Sequence, residues 1–217
     1  MVPDLRHMKN LAHLDLRNSA TRTIRFPPSL VFLAFTTISN IQAWADPPQS
    51  GTNHNGLYLP KLKILMCNTL HQAEFLLSTT AAQNRVDSEA SDSGLESLHI
   101  SRAEAVESNE FEHLDLDRFK YVTDLSLFGA RQFDDKWLPL FVRHLHHLQK
   151  IEVSNSDISG YGVKKVIEAS PGIKSVVAKN CQNLGADAVD WARSKGIEVI
   201  NPMQKDVKSG RQVRYGP

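Results

Sequence analysis

Apolar residues recur along this chain in one short cadence, at the first, fourth and sixth places of a nine-residue segment. It is clearest between 121 and 199, as Val122-x-x-Leu125-x-Leu127-x-x-Ala130, Leu148-x-x-Ile151-x-Val153-x-x-Ser156 and Ile173-x-x-Val176-x-Ala178-x-x-Cys181. The fourth and sixth places are two apart, so in an extended chain they share one face while their neighbours point to the other. Each copy therefore predicts a short strand with an apolar inner face. A small or hydrogen-bonding residue closes each one.

Earlier copies become readable with the fourth place as a marker: Leu11-x-x-Leu14-x-Leu16-x-x-Ser19, Leu30-x-x-Leu33-x-Phe35-x-x-Ile38, Leu62-x-x-Leu65-x-Cys67-x-x-Leu70 and Leu95-x-x-Leu98-x-Ile100-x-x-Ala103. A degenerate last strand, Ile197-x-Val199, follows a helical run from Ala186 to Lys195 that Gly196 ends. Markers fall at 14, 33, 65, 98, 125, 151, 176 and 197, so the later intervals of 27, 26, 25 and 21 residues suit a strand, a helix and two turns. A period in the twenties around an LxxLxL core is the signature of a leucine-rich solenoid. The expected fold is thus an α/β leucine-rich-repeat solenoid, a curved parallel sheet with helices or irregular segments on its convex side.

The connections differ along the chain. The first, Thr21 to Ser29, ends in Pro27-Pro28 and is expected to be extended. Polar inserts at 46–56 and 84–94 lengthen the next two. Trp137, Leu138, Phe141, Val142, Leu145 and Leu148 fall at helical spacing, with Pro139 acceptable near a helix start. Val163, Val166 and Ile167 repeat that stripe before Ser170-Pro171-Gly172, and Leu184, Ala188 and Trp191 form the last one. The domain reading is a stub at 1–10, a solenoid of seven or eight repeats at 11–200 and a mildly basic tail at 201–217. A single repeat cannot bury its apolar side, so the repeats must stack and the stack needs caps. The first ten residues are too few to cap Leu11 to Leu16.

Composition removes several function classes. Twenty-five basic residues balance 24 acidic ones, so no bulk charge favours nucleic acid or a membrane surface. No apolar run approaches the roughly 20 residues of a membrane span, and MVPDLRHMKN lacks a secretory h-region. With only Cys67 and Cys181, an intracellular location, cytoplasmic or nuclear, is expected.

Candidate chemistry is thin. His144-Leu-His146-His147 invites a metal, but no Cys, Asp or Glu shares that face by spacing, and a solvated helix end accounts for it. Cys67 falls at an inward strand place and Cys181 at the ninth place, which suits buried structural thiols. Asp134-Asp135 reads as a helix N-cap and first turn. No phosphate loop, G-x-S-x-G elbow or H-E-x-x-H is present. The expectation is a non-enzyme with no catalytic residues, cofactor or metal. What remains is the concave face, where Asp15, Arg17, Phe32, Ile64, Met66, His99, Phe128, Lys150, Glu152 and Lys179 flank the inward residues. Apolar groups clustered there suggest a protein-binding patch. Alternatively, the two inserts fold back and cover them.

The period, the small or cysteine ninth residues Ala130, Ser156 and Cys181, and the ending AVDWARSKGIEVI resemble F-box/leucine-rich-repeat proteins with cysteine-containing repeats. SPGIKSVVAKNCQNLGADAVDWARSKGIEV, residues 170–199, looks like the closing repeats of fungal members. The resemblance covers 120–200 well and 10–120 loosely. It implies the substrate-recognition portion of an adaptor in a cullin–RING (SCF) ubiquitin ligase, binding a target protein on the repeat surface. The F-box is absent from the repeats and does not fit before Leu11, so contact with a Skp-type linker and cullin maps to no residue here. A stand-alone scaffold or inhibitor is the alternative, and a histidine metal site is the third.

Overall fold

The computed structural model describes residues 5–17, 19, 24, 26–36, 59, 61–74, 76, 94–101, 116–129 and 133–201. The inserts at 46–56 and 84–93, the tail beyond 201 and the ninth-place Ala130 fall outside these residues. Eight strands form one all-parallel sheet whose spatial order is the chain order: β1 (His13–Leu16), β2 (Phe32–Phe35), β3 (Ile64–Cys67), β4 (Ser97–Ile100), β5 (Asp124–Ser126), β6 (Lys150–Glu152), β7 (Ser175–Val177) and β8 (Glu198–Ile200). A parallel neighbour requires the chain to return to the same end of the sheet, which sets the need for a crossover between every pair.

Register follows the marker residues. Leu14, Leu33, Leu65, Leu98, Leu125, Ile151, Val176 and Val199 stand side by side across the sheet. The last of these departs from the sequence expectation by two residues: Val199, not Ile197, pairs with Val176. The reason is local. Ile197 N–H turns back to Ala192 O at 3.2 Å, so Ile197 closes the preceding helix and the strand starts one residue later.

Three α-helices are fully bounded: α1 (Leu138–Val142), α2 (Gly160–Ala169) and α3 (Ala186–Ser194). Residues 70–74 are also helical, and Leu116–Phe119 form a 3-10 turn. Pro139 sits in the first turn of α1, where it forfeits no intrahelical bond. That helix is shorter than its apolar spacing predicts. Leu145 and Leu148 stay fully buried, but in turns that follow it. Ser170 ends α2 and Gly196, at φ +80°, follows α3, a conformation that costs glycine nothing.

One apolar cluster joins these pieces. Strand residues Leu33, Leu65, Leu98, Leu125 and Ile151 meet Leu70, Phe119, Phe141, Val166 and Val189 from the connections, so every described helical segment lies on the same side of the sheet. Phe141 packs between Phe119 and Phe133, ring centroids 5.8 Å from each. At one end Leu14 and Leu16 are only half-buried, unlike their register partners. No described helix is long and apolar enough to cross a membrane.

Candidate functional site

With the helices on one side, the other sheet face carries the residues before, between and after the inward pairs. The ten residues named from the sequence stand on it, and the register arranges them. Phe32 and Ile64 are neighbours in one row, while Asp15, Ala34, Met66, His99, Ser126 and Glu152 run side by side in the next. Arg17, Phe128 and Lys179 continue past the strand ends.

Exposure is uneven along this face. Phe32, Ile64 and Met66 are half-buried and Ala34 is fully buried, so the apolar patch read from the sequence is partly covered by its own neighbours. His13 contributes by stacking on Phe32, centroids 5.8 Å apart. Phe128 is exposed over half its surface, and Ile200, not singled out from the sequence, is also exposed.

Charged groups on the face are held in different ways. Arg17 folds onto Asp15: Nη2 donates to Oδ2 at 2.6 Å, Nε donates at 3.0 Å and the Arg17 backbone N–H donates to Oδ1 at 2.9 Å. These bonds hold the Asp15 carboxyl below its usual range and raise Arg17. Among the described residues Glu152 has no such basic partner. Its carboxylate accepts Ser126 Oγ–H at 3.0 Å and Ser154 Oγ–H at 3.2 Å, and Ser154 Oγ in turn accepts Lys179 N–H at 3.2 Å. Both serines are buried. His99 is half-buried with Nε2 2.9 Å from Ser97 Oγ. Burial lowers its pKa and Lys150 adds to that, while Glu152 and Asp124 oppose it.

The remaining sequence candidates are placed elsewhere. Cys67 is buried and its thiol is pushed up to about 12 by desolvation, which removes it as a nucleophile. Cys181 is buried too and donates to Val153 O at 3.1 Å, with Ser156 Oγ 3.6 Å away, so ninth-place residues of successive units touch. His144 Nδ1 lies 3.1 Å from Asp117 Oδ1, a partner too distant in sequence for spacing to find. His147 stacks on Tyr121. Among the described residues, no three His, Cys, Asp or Glu side chains converge to hold a metal ion.

The Asp134-Asp135 pair divides its work. Asp134 Oδ1 accepts the Lys136 and Trp137 N–H groups at 2.9 and 3.1 Å, shaping the turn into α1. Asp135 serves the next unit, not its own first turn. Its carboxylate accepts both the backbone N–H (2.8 Å) and the hydroxyl of Ser159, and Ser159 Oγ caps α2 by accepting Tyr161 N–H at 3.1 Å. Gly162 leaves the room, since a Cβ there would collide with Asp135 Oδ1 and Ile158.

Sequence reasoning missed a further ladder. Gly129, Asn155 and Asn180, four residues past their markers, all adopt positive φ of 74°, 59° and 57°. Asn180 Nδ2–H donates to Asn155 Oδ1 at 3.1 Å. The signal was available, because glycine and asparagine are the residues that enter this conformation most readily. Searches against protein-family models and curated proteins return no match to this chain.

Proposed function

We propose that this chain is a leucine-rich-repeat scaffold that binds a target protein on the sheet face opposite its helices. The observation that carries the reading is the eight-stranded parallel sheet in chain order, with every described helical segment on one side. Such stacking yields a long, continuous surface in which each unit adds two or three side chains, a design suited to gripping another protein. On that face Phe128 and Met66 are of the aromatic and methionine types enriched at protein interfaces, and Glu152, Lys150, His99 and Lys179 beside them suit a polar rim.

The resemblance to F-box/leucine-rich-repeat proteins extends this reading: the bound protein is a substrate, and the scaffold is the recognition portion of a cullin–RING ligase adaptor. Quantitative affinity purification from native cells tests both levels. The wild-type chain and a Lys164→Glu variant on α2 should retain the same target, while a Met66→Arg/Phe128→Ala variant should lose it. Recovery of a Skp-type linker and cullin with the full-length coding sequence marks the adaptor. A target retained without them marks the stand-alone scaffold, and a target retained by the face variant overturns the binding surface.

A further inference from the structure

On the reading that the open sheet face binds protein, we infer that Glu152 and Phe128 form the anchor point for a single arginine presented by the partner. Glu152 is fixed before any partner arrives. Ser126 and Ser154 hold one carboxylate oxygen each, from buried positions on β5 and just beyond β6. Hydroxyl donors orient the carboxylate without neutralising it. Among the described residues no basic group lies within ion-pair distance of it, although Lys150 shares its strand and face. Asp15 on the same face has its charge met by Arg17.

The aromatic partner is adjacent. Ser126 pairs with Glu152 in register, Phe128 lies two residues further along, and Gly129 N–H donates to Ser154 O at 2.9 Å. Phe128 therefore stands diagonally across from Glu152, within reach of one side chain. A flat guanidinium satisfies both groups at once, pairing with the carboxylate and stacking on the ring. An ammonium can also sit over a ring, but as a compact point charge it cannot pair in bidentate fashion with the carboxylate while lying flat on the ring. Lys150 and Lys179 stand exposed beside the pair, so a run of basic residues would be repelled. The occupant is thus a segment with one arginine free of basic neighbours.

Panning a random dodecapeptide phage library on the intact immobilised chain tests this directly. The wild type should enrich peptides with an isolated arginine. Binding of a synthetic peptide from that pool should weaken by about tenfold to a hundredfold in Glu152→Gln, the range of a charge-assisted bond. Phe128→Leu should narrow the preference for arginine over lysine. Unchanged thermal unfolding of both variants keeps a folding defect separate. Enrichment of peptides without arginine, or equal binding by Glu152→Gln, overturns the anchor. If those peptides are still lost on Met66→Arg, the binding face survives without it, and a library that enriches nothing defeats both.

Discussion

The fourth residue past the marker does two different jobs in the two halves of this sheet. After β3 it is Thr69, which starts a helix at once. Thr69 Oγ1 accepts Gln72 N–H at 3.2 Å while Gln72 Oε1 accepts the Asn68 and Thr69 N–H groups, a reciprocal cap at the first turn. After β5, β6 and β7 it is Gly129, Asn155 or Asn180 in the left-handed conformation, and the helix begins several residues later. The second solution spaces marker residues 26, 25 and 23 apart from Leu125 to Val199, whereas the intervals from Leu14 to Leu125 are 19, 32, 33 and 27. A uniform turn makes uniform connections, and uniform connections stack with their polar ends in line. The second half is linked by Asn180–Asn155, Ser156–Cys181 and Asp135–Ser159, and the first by a different set, Ser101 Oγ donating to Asn68 Oδ1 at 3.0 Å and Asn68 Nδ2 donating to Thr36 O.

The largest expected contrast lies between the interior of the sheet and its first strand. Leu98→Ala empties a fully buried site and should cost about 2–5 kcal/mol in urea unfolding. Leu14→Ala removes a half-buried side chain in the same register row and should cost about 1 kcal/mol. Equal losses would mean that the β1 end is as well covered as the interior. Next comes Asp135→Ala, which strips Ser159 of two hydrogen bonds and leaves the α2 cap without its tether. We expect a loss of about 1–3 kcal/mol, with hydrogen exchange rising first in the initial turn of α2. Exchange rising uniformly instead would mean that Asp135 is not a local tie.

The two turn solutions can be set against each other by exchange of residues. Gly129→Thr forces a β-branched residue to positive φ and should cost about 1–2 kcal/mol, although no atom lies within 4 Å of the added Cβ. Thr69→Asn should be nearly neutral, because asparagine caps helices as well as threonine does. Thermal unfolding of the pair decides it. If both are neutral, the distinction between the halves is only one of sequence.

How much of this was legible depended on whether a signal was local. Strand positions came through because the first, fourth and sixth apolar places obey the period of an extended chain, and every strand contains or adjoins them. The last register slipped by two because Ile197 is apolar and buried for a different reason, closing α3. Glu152 and Phe128 were named only as outward residues. What distinguishes them is their serine neighbours and their exposure, and those depend on strands 26 residues apart being brought side by side. Asp135 looked like a cap for its own helix because sequence proximity is a poor guide when a residue ahead of one helix ties down the cap of the next.

The smallest effect expected sits on the seam between the halves. His99 on β4 faces Met66 on one side and Ser126 on the other. Its pKa is lowered chiefly by burial, with Lys150 acting in the same direction and Glu152 and Asp124 against it. A histidine harder to protonate when folded binds fewer protons than in the unfolded chain, so its contribution is complete above the ordinary value of 6.5. That contribution is lost as pH falls from 6.5 through the lower folded value. Wild type should therefore lose more stability than His99→Gln between neutral pH and pH 5.5, the carboxylates common to both cancelling in the difference. Urea midpoints at the two pH values give the comparison. Parallel losses would show that the seam is open to water around His99, and the polar half of the face would then begin at β4 and not at β5.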